Sequence, residues 1–218
     1  ELMKYVPVTE DNEWHPKAVM PREEYIINTF NKQFNQIVTT AKNGMNTDSS
    51  FICAIDVSLS MTSKTNGTNF SAYQVALSMA LYFSELLAGQ FHNQFIQFST
   101  KAKFSSFKGE TPIEKLTNFT PDDMGSTNFL AVAKIFANLK KIGIDEDLLP
   151  KGVICISDGE FNRSGNDTNF HQFMRILRNA GFSDGFISNF KIVLWDIPNK
   201  YYGESKPKFE SLAKEGNF

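Results

Sequence analysis

The sequence predicts an α/β fold in which a mainly parallel sheet is doubly wound, with helices on both of its faces. Two observations lead to this class. The strand-like runs are continuously apolar, as in FICAID and GVICIS, which is typical of strands buried on both faces. Amphipathic helical runs separate these strands along the chain. The length of 218 residues suits one such domain better than two.

Residues 1–49 are predicted to form an N-terminal arm followed by an amphipathic helix. The first 20 residues contain two prolines and no clear periodicity, which favours an extended arm. The apolar residues after Pro21 fall at helical spacing, and Gly44 lies just past the end of this pattern. They are Ile27, Phe30, Phe34, Ile37, Val38 and Ala41. We expect this helix to pack on the domain that follows.

Residues 50–218 are predicted to form the domain itself, from alternating strands and helices. Strands are expected over 51–56, 91–99, 103–107, 152–157 and 191–195, and helices over 70–88, 112–118, 128–141, 169–180 and 207–215. Such a fold usually adds an edge strand after its last helix. The sequence shows none before Phe218, so we expect the domain to lack its last edge strand.

The charges are nearly balanced, which limits the classes of partner. Lys and Arg total 22 against 24 Asp and Glu, so the net charge of −2 gives no general reason to bind nucleic acid or an anionic membrane. No apolar segment approaches the roughly 20 residues that span a bilayer, and the N-terminus lacks the pattern of a signal peptide. We expect a cytoplasmic (intracellular) protein with no membrane partner.

The run FICAIDVSLSM places oxygen donors where the first strand ends. Asp56, Ser58 and Ser60 follow the apolar stretch at alternate positions. Carboxylate and hydroxyl oxygens suit Mg²⁺ or Mn²⁺, whereas Zn²⁺ prefers His and Cys. This segment therefore predicts a site for a divalent cation.

Two later segments supply further oxygen donors. GVICISD ends in Asp158, and a Gly-containing turn presents Thr127 directly before a predicted helix. Ligands of open parallel sheets collect outside the carboxyl ends of the strands. We therefore expect five residues from three loops to converge on one cation: Asp56, Ser58, Ser60, Thr127 and Asp158.

Each of these residues also has a structural interpretation. Ser58 and Ser60 could cap the following turn, and Thr127 could be an N-cap of the next helix. Asp158 with Gly159 could be an ordinary turn.

Three acidic residues are weaker candidates near the same edge. Asp123 and Glu160 could reach the rim of the site or be solvated loop charges, and Asp196 could support its ligands from the end of the last strand.

Catalytic functions find less support. An aspartate nucleophile for phosphoryl transfer would need a second Asp two residues later, and Ser58 occupies that position. No Gly-rich loop ends in Lys-Ser or Lys-Thr, so the phosphate-binding loop of nucleotide hydrolases is missing from the sequence. His15, His92 and His171 have neither metal-ligand nor triad spacing. We therefore expect the protein not to be an enzyme.

Together these segments resemble the metal-ion-dependent adhesion site (MIDAS) of von Willebrand factor A (VWA) domains. Asp-x-Ser-x-Ser starts at Asp56, Thr127 lies in a later Gly-containing loop, and Asp158 follows a fourth strand, in the order of that family. The resemblance covers about residues 50–200. The sequence around these motifs is most similar to that of intracellular A domains, such as those of TROVE-type ribonucleoproteins and of a related uncharacterised family. Leu59 stands where many relatives have Gly.

The resemblance implies a Rossmann-like fold and a role for each residue. Ser58, Ser60 and Thr127 would be direct neutral ligands of Mg²⁺ or Mn²⁺, while Asp56 and Asp158 would act directly or through water. An Asp or Glu of a protein partner would complete the octahedron. The implied function is a metal-dependent protein-interaction module. The alternative is a component of a ribonucleoprotein or larger assembly that uses the domain as a structural module, with RNA bound only by regions outside it.

The same family order makes the strands of Cys53 and Cys155 neighbours. Each cysteine lies three residues before a site aspartate, so we expect the two at similar heights on the same face of the sheet. A disulfide between adjacent parallel strands would be strained, so we expect free thiols.

Overall fold

The computed structural model describes residues 23–44, 51–65, 67–159 and 168–197. Its helices are α1 (Glu24–Gly44), α2 (Ala72–Leu86), α3 (Pro112–Thr117), α4 (Leu130–Lys141), α5 (Asn169–Asn179) and α6 (Asp184–Asn189). Its strands are β1 (Phe51–Asp56), β2 (Gln94–Phe98), β3 (Ala102–Ser106), β4 (Gly152–Ser157) and β5 (Lys191–Asp196). The strands predicted within these ranges are thus confirmed to within a few residues.

The five strands form one mixed sheet in the order β3-β2-β1-β4-β5. All neighbouring pairs are parallel except β2 and β3, which are antiparallel. Only three residues connect β2 to β3, and so short a connection can join only antiparallel strands. The predicted α/β class with a mainly parallel sheet is confirmed.

Helices cover the sheet on both faces, over two separate apolar cores. Successive side chains of a strand point to opposite faces, and Cys53 and Ile55 accordingly face one core while Ile52 and Ala54 face the other. The first core includes side chains of α1, α2 and α3, and the second includes those of α4, α5 and α6. This burial on two faces explains why the central strands β1 and β4 are continuously apolar.

Helix α1 packs on the domain through a narrow stripe. Phe30, Phe34 and Val38 are buried against α2 and α3, and the Ile113 N–H donates to Oδ1 of Asn31 at 3.1 Å. Ile37, predicted to belong to this stripe, is 41% exposed. At 3.6 residues per turn, Phe30 and Val38 lie about 40° to either side of Phe34, whereas Ile37 lies about 60° away and falls outside the contact.

The cysteines are free, as predicted, but they do not share a face. In the register of β1 and β4, Cys53 is opposite Ile154 and Cys155 is opposite Ala54. A shift of one residue moves a side chain to the other face, so Cys53 belongs to the first core and Cys155 to the second. Burial raises the pKa of both thiols.

Helix α6 was not predicted, because its two apolar residues, Phe186 and Ile187, are adjacent and show no helical spacing; it begins where Oγ of Ser183 accepts the Phe186 N–H. The arm over 1–20, the helix over 207–215 and the missing edge strand lie outside the described residues. Among helices in the described ranges, none has the length and apolar character needed to cross a bilayer.

Phe34→Ala tests the docking of α1. Removal of a buried phenylalanine ring should lower the free energy of unfolding by about 3–5 kcal/mol, whereas Ile37→Ala on the same helix should change it by about 0.5 kcal/mol or less. Urea denaturation of both variants measures the difference. Equal losses for the two would contradict the burial described here.

Candidate metal centre

The site residues lie at the carboxyl ends of β1 and β4. Helix α2, which follows β1, packs on one face of the sheet, while α5, which follows β4, packs on the other. Helices on opposite faces after two neighbouring strands mark the usual ligand position in such sheets, and we call this edge between β1 and β4 the crevice. Asp56 ends β1, and Asp158 directly follows β4.

Three predicted hydroxyl ligands meet in this crevice. Oγ of Ser58 lies 3.1 Å from Oγ of Ser60, and Oγ1 of Thr127 donates to Oγ of Ser58, also at 3.1 Å. Ser58 and Thr127 are buried and Ser60 is half-buried. The structure therefore brings together hydroxyls from two loops that are 69 residues apart in the chain.

Helix capping does not explain these hydroxyls. Ser58 precedes a short 3-10 helix (Leu59–Thr62), but its side chain makes no capping hydrogen bond. Helix α4 begins at Leu130 after Phe129, so Thr127 is not its N-cap. The capping interpretation of Ser58 and Thr127 is wrong. Gly159 has φ +80°, a conformation that suits a glycine turn after Asp158.

Asp56 is fully buried and links β1 to β4. Its Oδ1 accepts the Ser58 N–H at 2.8 Å, and its Oδ2 accepts the hydroxyl of Ser157 at 2.7 Å. Ser157 also accepts the Gly159 N–H at 3.2 Å. Sequence reasoning missed Ser157. The sequence shows a hydroxyl at the last position of the strand, but only the β1–β4 register, seen in the structure, sets it beside Asp56.

The Asp56 carboxyl lies in an environment that disfavours its charge. The pKa of Asp56 is raised to about 6, chiefly by burial; hydrogen bonds from Ser157 and Ser58 oppose the rise, and the charge of Asp158 adds a smaller one. Within the described part of the chain, no lysine or arginine forms an ion pair with Asp56. A cation in the crevice would stabilise this carboxylate.

Asp158 and Asp196 are half-buried at the same edge of the sheet. The pKa of Asp196 is raised first by burial and then by the charge of Asp158, which also acts on Asp56. Asp158 therefore lies within electrostatic reach of both neighbours. Asp196 pairs with Ser157 in the register of β4 and β5.

Of the two acidic candidates for the rim of the site, the structure describes only Asp123. Asp123 is exposed, and its carboxylate accepts hydrogen bonds from the Ser99 hydroxyl and the Gly125 N–H, at 2.9 and 3.1 Å. Glu160 lies outside the described residues.

The donor set fits a small hard cation. An octahedral Mg²⁺ with ligands at about 2.1 Å places neighbouring ligand oxygens about 3.0 Å apart. The two observed hydroxyl separations are both 3.1 Å, a length that the hydrogen bonds between these hydroxyls set and that also suits neighbouring ligands of Mg²⁺. In the described residues, no group of three or more His, Cys, Asp and Glu side chains could hold a metal. A cation here would therefore depend on the hydroxyls of Ser58, Ser60 and Thr127.

Residues 49–214 match the family described as a domain of unknown function, DUF7788, and the chain belongs to this family. The matched range contains all five predicted ligands. A search of curated proteins found no match to the chain.

The pH dependence of stability tests the burial of Asp56. Because its pKa is raised in the folded protein, its contribution to stability is fully present below about pH 4 and is lost as pH rises through about 6. A rise of about 2 in the pKa corresponds to a contribution of roughly 3 kcal/mol to the free energy of unfolding.

The measurement is urea denaturation in EDTA between pH 4 and 7, for the wild type and Asp56→Asn. The asparagine is never charged, so the free energy of unfolding of the wild type should fall relative to the variant across this window. Parallel pH profiles would refute a raised pKa.

Proposed function

We propose that this chain is a divalent-metal-dependent protein-interaction module of the VWA type, in which Mg²⁺ or Mn²⁺ accepts a carboxylate from a protein partner. The observation that carries the proposal is the cluster of three hydroxyls at 3.1 Å beside the buried carboxylate of Asp56. Capping does not account for Ser58 or Thr127, and no ion pair in the described residues neutralises Asp56.

The topology supports the VWA assignment. Asp-x-Ser-x-Ser begins at the last residue of the central strand β1, the Thr127 loop precedes α4, and Asp158 directly follows the neighbouring strand β4. These are the positions that the resemblance implies for a MIDAS. The crevice between β1 and β4 also fits the general position of ligands in this fold class.

The residues of the site have complementary roles in this proposal. Ser58, Ser60 and Thr127 present neutral oxygens, while Asp56 holds the Ser58 loop through its hydrogen bond to the Ser58 N–H. Both oxygens of Asp56 already accept protein hydrogen bonds, which favours contact with the cation through water. A cation with few anionic ligands keeps a strong attraction for an incoming carboxylate.

Leu59 gives the rim a distinct character. Its side chain is 50% exposed, while the flanking Ser58 and Ser60 are buried and half-buried. The bulkier residue in place of the Gly of many relatives therefore affects the surface presented to a partner, and leaves the hydroxyl cluster intact.

Thermal unfolding in EDTA, Mg²⁺ and Mn²⁺ tests metal binding. An ion at 10 mM with a Kd of about 1 mM stabilises the folded state by about 1.4 kcal/mol, which raises the Tm by about 3–6 °C. Ser58→Ala and Asp158→Asn should abolish the rise. Asp147→Asn is the matched control, because this side chain is 95% exposed.

A rise with both ions that only the site variants lose would support the proposal. No rise for the wild type at 10 mM would reject it. That result would favour the alternative of a structural module in a ribonucleoprotein or larger assembly.

Partner binding should depend on the same hydroxyls. Proteins retained by the immobilised chain in Mg²⁺ should be released by EDTA and should not bind Thr127→Ala, while Asp147→Asn should retain them. Quantitative mass spectrometry of the eluates measures this. A set of bound proteins unaffected by EDTA would show that partners use another surface.

A further inference from the structure

The loop that carries Thr127 lies along the β2–β3 hairpin and is anchored at both ends by aromatic residues. At its start, Phe119 packs on Phe95 and Phe107, with ring centroids 5.2 and 5.8 Å apart. At its end, Phe129 packs on Phe98 at 6.2 Å. Residues 120–128 therefore connect two fixed points, and their path between these points decides where the Thr127 hydroxyl lies.

The turn between β2 and β3 binds the residues on either side of Thr127. The Ser126 N–H donates to Oγ1 of Thr100 at 3.2 Å, and the Asn128 side-chain amide donates to the Thr100 carbonyl, also at 3.2 Å. The Asn128 N–H donates to the Ser99 carbonyl at 2.9 Å. Thr127 is thus bracketed by bonds to a turn that belongs to a different part of the chain.

Asp123 closes the same network from the other end of the loop. Its carboxylate joins the Ser99 side chain to the backbone of Gly125, through one hydrogen bond on each oxygen. The approach is so close that a Cβ on Gly125 would overlap with Oγ1 of Thr100. A larger residue at this position would therefore force the Thr100 side chain or the loop to shift.

We propose that Thr100 and Asp123 are positioning residues for the metal site, because they hold the loop so that Thr127 faces Ser58. This inference rests on the proposed function and extends it to two residues outside the ligand set. Thr127 is the hydroxyl ligand that does not come from the β1 loop. Its distance to Ser58 therefore depends on contacts outside β1, and these are the contacts that Thr100 and Asp123 provide.

The consequence should be seen in metal affinity more than in overall stability. Removal of a group that orients a metal ligand typically weakens metal affinity by about 10–100-fold. Thr100 lies in an exposed turn and Asp123 is exposed, so neither substitution opens a cavity in a core. We expect a weaker site in a folded domain.

The experiment compares variants that remove or retain the hydrogen-bonding groups. Thr100→Val removes the hydroxyl at constant shape, and Thr100→Ser retains it. Asp123→Ala removes both acceptors, while Asp123→Asn can still accept the Gly125 N–H and contact the Ser99 hydroxyl. Thr40→Val, in the exposed part of α1, is the control for loss of a threonine hydroxyl.

Two readouts apply to the full chain. Mn²⁺ titration followed by electron paramagnetic resonance gives the Kd, and amide hydrogen exchange in EDTA reports the Ser126 and Asn128 N–H groups without metal. For Thr100→Val and Asp123→Ala we expect a Kd about 10-fold weaker and faster exchange of both amides. Thr100→Ser, Asp123→Asn and Thr40→Val should stay near the wild type in both readouts.

The outcomes separate this inference from the function on which it rests. If the wild type binds no Mn²⁺, the proposed function and the inference both fail. If it binds Mn²⁺ and neither Thr100→Val nor Asp123→Ala weakens the Kd, only the inference is overturned. Should Thr100→Val fail to fold, as judged by its Tm in EDTA, Asp123→Ala decides on the same two readouts.

Discussion

The buried carboxylate of Asp56 is the group on which the rest of the site depends. It accepts one hydrogen bond from the backbone of Ser58 and another from the side chain of Ser157, so it joins two neighbouring strands and sets the turn that follows β1. An unpaired charge is costly to bury, and burial accordingly raises the pKa of this group. The proposed cation would offset this cost by giving the buried carboxylate of Asp56 an opposite charge.

The site is built from two sides around β1. On the β4 side, Ser157 and Asp158 come from the strand that pairs with β1. On the β2 side, the hairpin turn at Ser99 and Thr100 holds the loop that delivers Thr127. Apolar cores on both faces hold these strands in register. The hydroxyl cluster can therefore be formed before a cation or partner arrives, which reduces the free energy that binding must spend on ordering.

The differences between prediction and structure have local physical causes. Apolar runs were sufficient to predict the central strands β1 and β4, because strands buried on both faces tolerate few polar residues. The same runs carry no information on register, so Cys53 and Cys155 were wrongly expected on one face. Periodicity predicted helix α1, yet the exposure of Ile37 depends on how wide a stripe the neighbouring helices can cover.

The sequence by itself determined the strands and most helices of the described ranges, and it supplied the oxygen donors, because these follow from local composition and spacing. Only the tertiary structure decided which groups meet. Asp56 and Ser157 are 101 residues apart, Ser58 and Thr127 are 69 apart, and Ser99 and Asp123 are 24 apart. Hydrogen bonds at such separations leave no periodic signal in the chain, since the register and packing of the sheet create them.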